Sequence, residues 1–246
     1  MKVLLLAAGM GSRLKPITDS MPKCMVPIAG RPLLDYWIEL LAAHPAISEI
    51  IINTHYLPDP VRDYVASSPY KERIRLIHEE NLLGTGGTLL SIMPKLIGDD
   101  VLVAHADNLT LFDLNAFIHT HQSRPADCVA TMMSFETDYP SACGILELDK
   151  RGVVTAFHEK VSNPPGKLAN AAVFIFSSAA LAIIIGLQKH GVAEITVDFI
   201  PTLLGKIVTF HNDIYHRDIG TPESLAAAER EFPEIYRAFK RKGSEQ

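Results

Sequence analysis

A short apolar run that empties into a glycine-rich turn opens this chain. Val3 to Leu6 lead into Ala7-Ala8, then Gly9-Met10-Gly11-Ser12-Arg13-Leu14, and later Pro22-Lys23. In order these read as a buried strand, a tight turn, an arginine and a lysine. Glycine lets backbone N–H groups come close to phosphate oxygens because no Cβ intrudes. Arg13 offers a planar fork to two phosphate oxygens, and Lys23 a point charge to another. Such a segment can wrap a triphosphate.

Two well-known glycine loops fit the segment poorly. A Walker A loop needs a G-x-x-x-x-G-K-[ST] spacing that is missing here. A dinucleotide fingerprint needs a third glycine where Leu14 stands, and that glycine permits tight helix-to-strand packing. The dinucleotide reading also expects an acid closing the second strand, where the chain has Asn53-Thr54-His55. An ordinary strand-to-helix turn is the plain alternative, and Arg13 with Pro22-Lys23 argues against it.

Apolar runs and amphipathic stretches alternate through the first half. Strands are expected at Val3–Ala8, Ser48–Asn53, Ile74–Ile77 and Asp100–Ala106, with helices at Leu33–Ala43, Pro60–Ala66 and Thr85–Leu96. This alternation implies a largely parallel sheet with helices on both faces and ligands at the carboxyl ends of its strands. The second half changes character. Strands at Cys128–Ser134, Gly144–Leu148, Val153–Phe157 and Leu168–Phe176 suggest an antiparallel addition, with a Lys150-Arg151-Gly152 turn joining two of them. Helices follow near Ser178–Leu187 and Thr196–Leu204, short strands at Ile207–Phe210 and Asp213–His216, and a closing helix at Pro222–Phe239. From Lys240 the charged end is expected to fray.

Composition removes several classes. The 246 residues are 48% hydrophobic and 21% charged, ordinary for a globular chain able to bury a full core. A net charge of −5 gives no reason to expect nucleic acid or an anionic membrane as partner. No apolar run approaches the roughly 20 residues that span a bilayer, and the start is no cleavable signal. Three cysteines without C-x-x-C spacing point to reduced thiols and a cytoplasmic setting. Ten histidines include His119 and His121, but no third ligand lies at a recognisable spacing, so zinc is not expected. Nor is there a G-x-S-x-G elbow.

The stretch LLLAAGMGSRLKPITDSMPKCMVPIAGRPLLDYW resembles the signature of the sugar-1-phosphate nucleotidylyltransferases, the pyrophosphorylases that make nucleotide sugars. The family pattern runs L-A-G/A-G-x-G-T/S-R-L-x-P-L/I-T and then P-K-P-L/M. Ser12 and Ile17 fit it, and Cys24 replaces the usual proline. Later motifs follow in the family's order, so the resemblance covers nearly the whole chain. It implies a single three-layer α/β/α domain, Rossmann-like, with a mixed, mainly parallel central sheet and a small antiparallel addition. Residues 1–125 would serve mainly the NTP and 126–220 mainly the sugar phosphate, with 221–246 a closing helix and tail. Some family members continue into a β-helix; none is expected here.

Site residues follow from the matching positions. Leu6, Ala7, Ala8, Gly9, Gly11 and Ser12 would line the nucleotide, with Arg13 and Lys23 on its phosphates. Asp107 closes the fourth strand, where a carboxylate faces the ligand crevice, and Asp218 lies in Asp218-Ile219-Gly220-Thr221-Pro222. In the family these two hold a metal, and paired hard carboxylates suit Mg²⁺, which takes the rest of its shell from water and phosphates. A turn aspartate and a helix cap are the bland readings of the same residues. Gly84, Thr85 and Gly86 open a helix whose N–H groups can meet a base or phosphate.

Glu79 matches a base-reading position. An ionised carboxylate only accepts hydrogen bonds, and guanine offers adjacent N–H donors, so this leans to GTP; an exposed Glu79-Glu80 pair is the alternative. Asn108, Gly144, Glu159, Lys160 and Asn170 match the sugar-phosphate positions, within Phe157-His158-Glu159-Lys160 and Asn170-Ala171-Ala172. Ala106, Val161 and Ala172 depart from the family's glycine, proline and glycine. The expected chemistry joins an NTP to a sugar-1-phosphate, as in mannose- or heptose-1-phosphate guanylyltransferases. UTP, CTP or dTTP, phosphocholine as acceptor, a non-catalytic nucleotide-sugar sensor, and a homo-oligomeric state stay open.

Overall fold

The first strand forms where the sequence turns apolar: β1, Lys2–Leu6, has Val3, Leu4 and Leu5 wholly out of water. It is followed by three 3₁₀ turns, at Ser12–Leu14, Ile17–Asp19 and Lys23–Met25, where glycines and prolines forbid a longer helix. The computed structural model describes residues 1–96, 98–187 and 191–244. Next come a small hairpin, β2 (Pro27–Ile28) and β3 (Arg31–Pro32), then α1 (Leu33–Ala42), β4 (Glu49–Thr54), α2 (Pro58–Ser67), β5 (Ile74–His78) and α3 (Gly84–Ile92). The middle of the chain holds β6 (Val101–His105), β7 (Asn108–Leu111), α4 (Leu114–Gln122), β8 (Ala130–Glu136), β9 (Gly144–Leu148), β10 (Val154–Glu159) and β11 (Leu168–Phe176). It closes with α5 (Ser178–Gly186), β12 (Ile207–His211), β13 (Tyr215–Asp218) and α6 (Pro222–Ser244). The fold is the expected α/β class, a mixed central sheet with helices packed on it.

Packing divides the chain into two units that interleave along the sequence. One comprises Met1–Leu4, Asn81–Ala104 and Asp113–Asp213. Its hydrogen-bonded strands run β10-β9-β11-β6-β1, with β8 against β11 and β12 against β8. The β9–β10 hairpin is antiparallel, and its turn closes on Asp149, whose Oδ1 accepts from Arg151 N at 2.8 Å and Val153 N at 3.0 Å. Where the sequence suggested helix over Thr196–Leu204 there is a π-helical turn, Ile195–Phe199, then a 3₁₀ turn, Ile200–Leu203; Pro201 lacks the N–H a regular helix would use. Likewise α3 stops at Ile92 and a 3₁₀ turn holding Pro94 follows. His121 on α4 is wholly buried with Nδ1 2.9 Å from Thr131 Oγ1, a core histidine whose burial pushes its pKa down to about 4.

In β11 the register slips between Asn170 and Phe174, and Ala172 inside the slip has φ 55°. Asn170 Oδ1 accepts from Ala172 N at 2.9 Å and fixes the bulge. A left-handed alanine is strained by its Cβ, so the backbone here keeps a glycine's conformation without the glycine. Ala172→Gly is expected to stabilise the protein by about 1 kcal/mol and raise Tm by roughly 2–4 °C. A thermal melt that shows no gain would mean the bulge has relaxed around the methyl group.

The second unit comprises Leu5–Glu80, His105–Phe112 and the chain from Ile214. The end of β1 neighbours β4, and β4 pairs parallel with β5 from Ile50↔Ile74 to Thr54↔His78. A separate two-stranded sheet joins β7 and β13 antiparallel, pairing Asn108 with Asp218 and Thr110 with His216. Helix α1 buries Leu33, Leu34, Trp37, Ile38 and Leu41. Helix α6 packs Phe232 and Tyr236 edge-on against Tyr36 at 4.9 and 5.2 Å. The expected fraying from Lys240 is corrected: α6 continues to Ser244, because Lys240 pairs with Glu39, which Arg31 and Tyr236 also hold. Residues 245 and 246 of the expected tail lie outside the described residues. No helix among the described residues is long and apolar enough to cross a membrane.

Candidate active site

Gly11 is where the loop after β1 needs glycine. Its φ is 62°, and a Cβ would stand 2.9 Å from Thr18 Cγ2 and 3.0 Å from Lys23 Cβ. Gly11 O accepts from Leu14 N at 2.9 Å and Thr18 Oγ1 at 2.8 Å, so the loop folds back on itself. Tyr56 Oη, donating to Thr18 O at 2.9 Å, holds the turn from outside. This packing delivers Lys23 to an enclosed position with its side chain only 7% exposed.

There the ammonium meets both carboxylates predicted from sequence. Lys23 Nζ donates to Asp107 Oδ2 at 2.8 Å and to Asp218 Oδ1 at 2.9 Å. Arg13 Nη2 lies 3.7 Å from Asp218 Oδ2, with its guanidinium largely in solvent. The β7–β13 ladder explains the meeting, since Asp218 pairs in register with Asn108, the residue after Asp107. Asn108 is buried, and its carbonyl accepts from Trp37 Nε1 at 2.8 Å. Gly220 is needed beside them: a Cβ there would lie 2.7 Å from Arg13 Nη2 and 2.8 Å from Asp218 Oδ2.

Electrostatics ties the group together. Burial works against the charge on Lys23, yet the two carboxylates outweigh it and hold its pKa above the ordinary value. Burial likewise works against the Asp107 carboxylate, and Lys23 with His105 more than offsets it, so its pKa is lowered. Burial pushes His216 down to about 4 despite Asp218, and its Nδ1 lies 2.9 Å from Thr110 Oγ1. The site therefore favours a charged Lys23 beside an ionised Asp107. Among the described residues no group of three or more His, Cys, Asp or Glu could hold a metal. Asp107 and Asp218 are a two-carboxylate, all-oxygen donor pair that fits a hard cation completing its shell from water or phosphate. Their side chains are 28% and 54% exposed, which leaves them open to one.

A second set lies in the same unit. Leu6, Ala7 and Ala8 are buried, and Leu6 O accepts from Ala106 N at 3.0 Å. Ala7 N donates to Asn53 Oδ1 at 2.7 Å, and Asn53 Nδ2 donates to Glu79 Oε1 at 2.9 Å. Glu79 is 7% exposed, so the alternative of a solvated Glu79-Glu80 pair fails for Glu79 while Glu80 is exposed. Asn53 was visible in sequence only as a missing acid; the signal overlooked is one amide directly after three isoleucines near the end of a buried strand. Gly9 and Ser12 lie at the exposed rim of the loop.

In the other unit, the N–H groups that open α3 are committed locally. Thr85 N and Oγ1 donate to Glu194 Oε2 at 3.3 and 2.7 Å, and Gly86 N and Gly87 N donate to Ala193 O at 2.8 and 3.1 Å. Gly84, at φ 72°, leaves no room for a Cβ beside Ala193 and Glu194. Glu194 has no sequence signal, since its relation to Thr85 is tertiary. Gly144 pairs with Glu159 across β9–β10, and Glu159 lies 3.5 Å from Lys160 Nζ. A Cβ on Gly144 would overlap the Phe157 ring and the Glu159 carboxylate. Asn170 turns its amide oxygen to its own bulge.

Comparison with known proteins places the chain in a family. A family model described as Nucleotidyl transferase matches residues 2–234. The mannose-1-phosphate guanylyltransferase of Mycobacterium tuberculosis is 32% identical over 90% of this chain, which spans 62% of that protein's length. A further relative from Sulfolobus acidocaldarius, also 32% identical, is spanned over 54% of its length. The D-glycero-alpha-D-manno-heptose 1-phosphate guanylyltransferase of Aneurinibacillus thermoaerophilus is 28% identical, with 94% of this chain and 98% of that one covered. Among solved structures, HddC from Yersinia pseudotuberculosis complexed with GMP-PN superposes with a TM-score of 0.76 at 27% identity, covering 94% of this chain and 99% of that one.

Proposed function

The chain belongs to the nucleotidyl transferase family, and from that premise we propose that it transfers a nucleotidyl group from an NTP to a sugar-1-phosphate. A phosphate oxygen of the sugar-1-phosphate forms the new bond to the α-phosphorus, the bond from that phosphorus to the bridging oxygen breaks, and pyrophosphate leaves. The nucleophile is already an anion, so no general base is required. The protein's work is to align two polyanions that otherwise repel. The observation that carries this reading is Lys23, enclosed and charged, 2.8 and 2.9 Å from Asp107 and Asp218.

In this reading Lys23 turns its ammonium to the α-phosphate, and Arg13, largely in solvent, holds the β- and γ-phosphates as the leaving group. Gly9, Gly11 and Ser12 bring loop backbone to the phosphates. Lys160 meets the attacking phosphate, with Glu159, Gly144, Asn108 and Asn170 on the sugar side. Asp107 and Asp218 would hold Mg²⁺, which when bound neutralises phosphate charge. A purine acceptor site at Glu79 and the guanylyltransferase relatives favour GTP with mannose- or heptose-1-phosphate. We read residues 1–246 as one catalytic domain, at work in a reducing cytoplasm that suits its free cysteines.

The test is pyrophosphate release with Mg²⁺, crossing four NTPs against a panel of sugar-1-phosphates. Release that needs both substrates, greatest with GTP, is the expected result. Nucleotide-sugar binding without release from any pair would replace the transferase with a sensor.

A further inference from the structure

Asn53 sits on the middle strand of three, β1-β4-β5, at the end where the glycine-rich loop begins. Three isoleucines precede it on β4, all wholly buried, and Asn53 itself is 2% exposed. Its amide reaches both ways. Ala7 N can only donate, so the oxygen must face it, at 2.7 Å, and the NH₂ group then faces Glu79 Oε1 at 2.9 Å. One side chain thereby joins the first residue of the phosphate loop to the carboxylate at the end of β5. Asparagine is suited to this: an aspartate would offer an acceptor to Ala7 but a second negative charge to Glu79, and a leucine would remove both contacts.

We propose that Asn53 is the positioning residue for nucleobase selection, setting the orientation of Glu79 relative to the loop; this rests on Glu79 being the base acceptor. A carboxylate discriminates bases only if its oxygens are held in place, and discrimination is steep where a buried polar group would lose its partner. Asn53 therefore acts on which NTP binds, through Glu79, and not on the transfer step.

The experiment compares the wild type, Asn53→Asp and the double variant Asn53→Asp with Glu79→Gln. Dissociation constants for GTP, UTP, CTP and ATP are measured by calorimetry without sugar phosphate, beside kcat and KM for pyrophosphate release and a thermal melt. In Asn53→Asp, the new carboxylate meets Glu79 at hydrogen-bond distance, and like charge or a proton shared between them takes from Glu79 the fixed acceptor that it offers a base. The preferred NTP is expected to bind about tenfold more weakly, the spread between best and worst NTP to shrink by a similar factor, and kcat to hold within about threefold. In the double variant, the new amide on β5's end donates to the new carboxylate on β4, while Ala7 N keeps its acceptor. The melt is expected to return toward wild type, but the base preference only in part, because the amide nitrogen is committed to β4 and a single amide oxygen is left where a carboxylate met both N–H groups of the base. A folded Asn53→Asp with the wild-type base ratio overturns the inference. Should that variant not fold, the same ratio in the double variant overturns it. Failure of the family reading shows separately, as absence of pyrophosphate release from the wild type.

Discussion

Lys23→Ala is expected to lower turnover by a factor on the order of 10²–10³, with a smaller effect on the melting temperature. The ammonium is held in a slot only 7% exposed, so its field on a bound phosphate is poorly screened by water. Two carboxylates keep it protonated at every working pH, since its pKa is raised and not lowered by the site. Removing it takes a preorganised charge from the α-phosphate and leaves Asp107 and Asp218 facing each other. Water reaches both, which limits the loss of stability that unpaired buried charges would bring. A divalent cation should then bind the free protein more tightly than it binds the wild type, where the ammonium competes for the same oxygens. Lys23→Arg should rescue little, because a planar guanidinium does not fit a slot shaped around a point donor. Near-wild-type turnover of Lys23→Ala on the best substrate pair would remove Lys23 from the phosphate.

Much of this site was legible in the chain. The glycine loop announces itself because Gly11 needs both a positive φ and the absence of a Cβ, and such demands leave a residue-type signature. Lys23, Asp107 and Asp218 were legible from motifs, but the reason they meet was not. That reason is β7, four residues paired with a strand from the far end of the chain, too short for any alternation to stand out. Helix α4 was passed over although Leu114, Phe117, Ile118 and His121 fall on one face; reading His121 only as a candidate ligand hid its place in that stripe. Proline at 94 and 201 shortens helices that apolar content alone extends. Glu194, Asn53 and the Lys240–Glu39 pair are tertiary facts: each depends on a partner that local sequence does not name.

Asp107→Asn should separate charge from shape at the same site. The amide keeps an oxygen for Lys23 and nearly the same volume, so the β6–β7 turn and the Asn108 contact to Trp37 are expected to persist. What it loses is the negative charge that offsets burial of Lys23 and half of the two-carboxylate donor pair. Turnover is expected to fall on the order of 10²-fold, and the Mg²⁺ concentration for half-maximal pyrophosphate release to rise by about tenfold or more. The two shifts have different origins: the first reports charge at the reacting phosphorus, the second affinity for the cation. Asp218→Asn should raise the Mg²⁺ requirement too, and also free Arg13, which lies 3.7 Å from it, so its turnover loss is expected to be smaller if Arg13 gains freedom to follow the leaving pyrophosphate. A Mg²⁺ titration of Asp107→Asn that overlays the wild type would show that this carboxylate serves Lys23 alone, and that the cation is held by the phosphates.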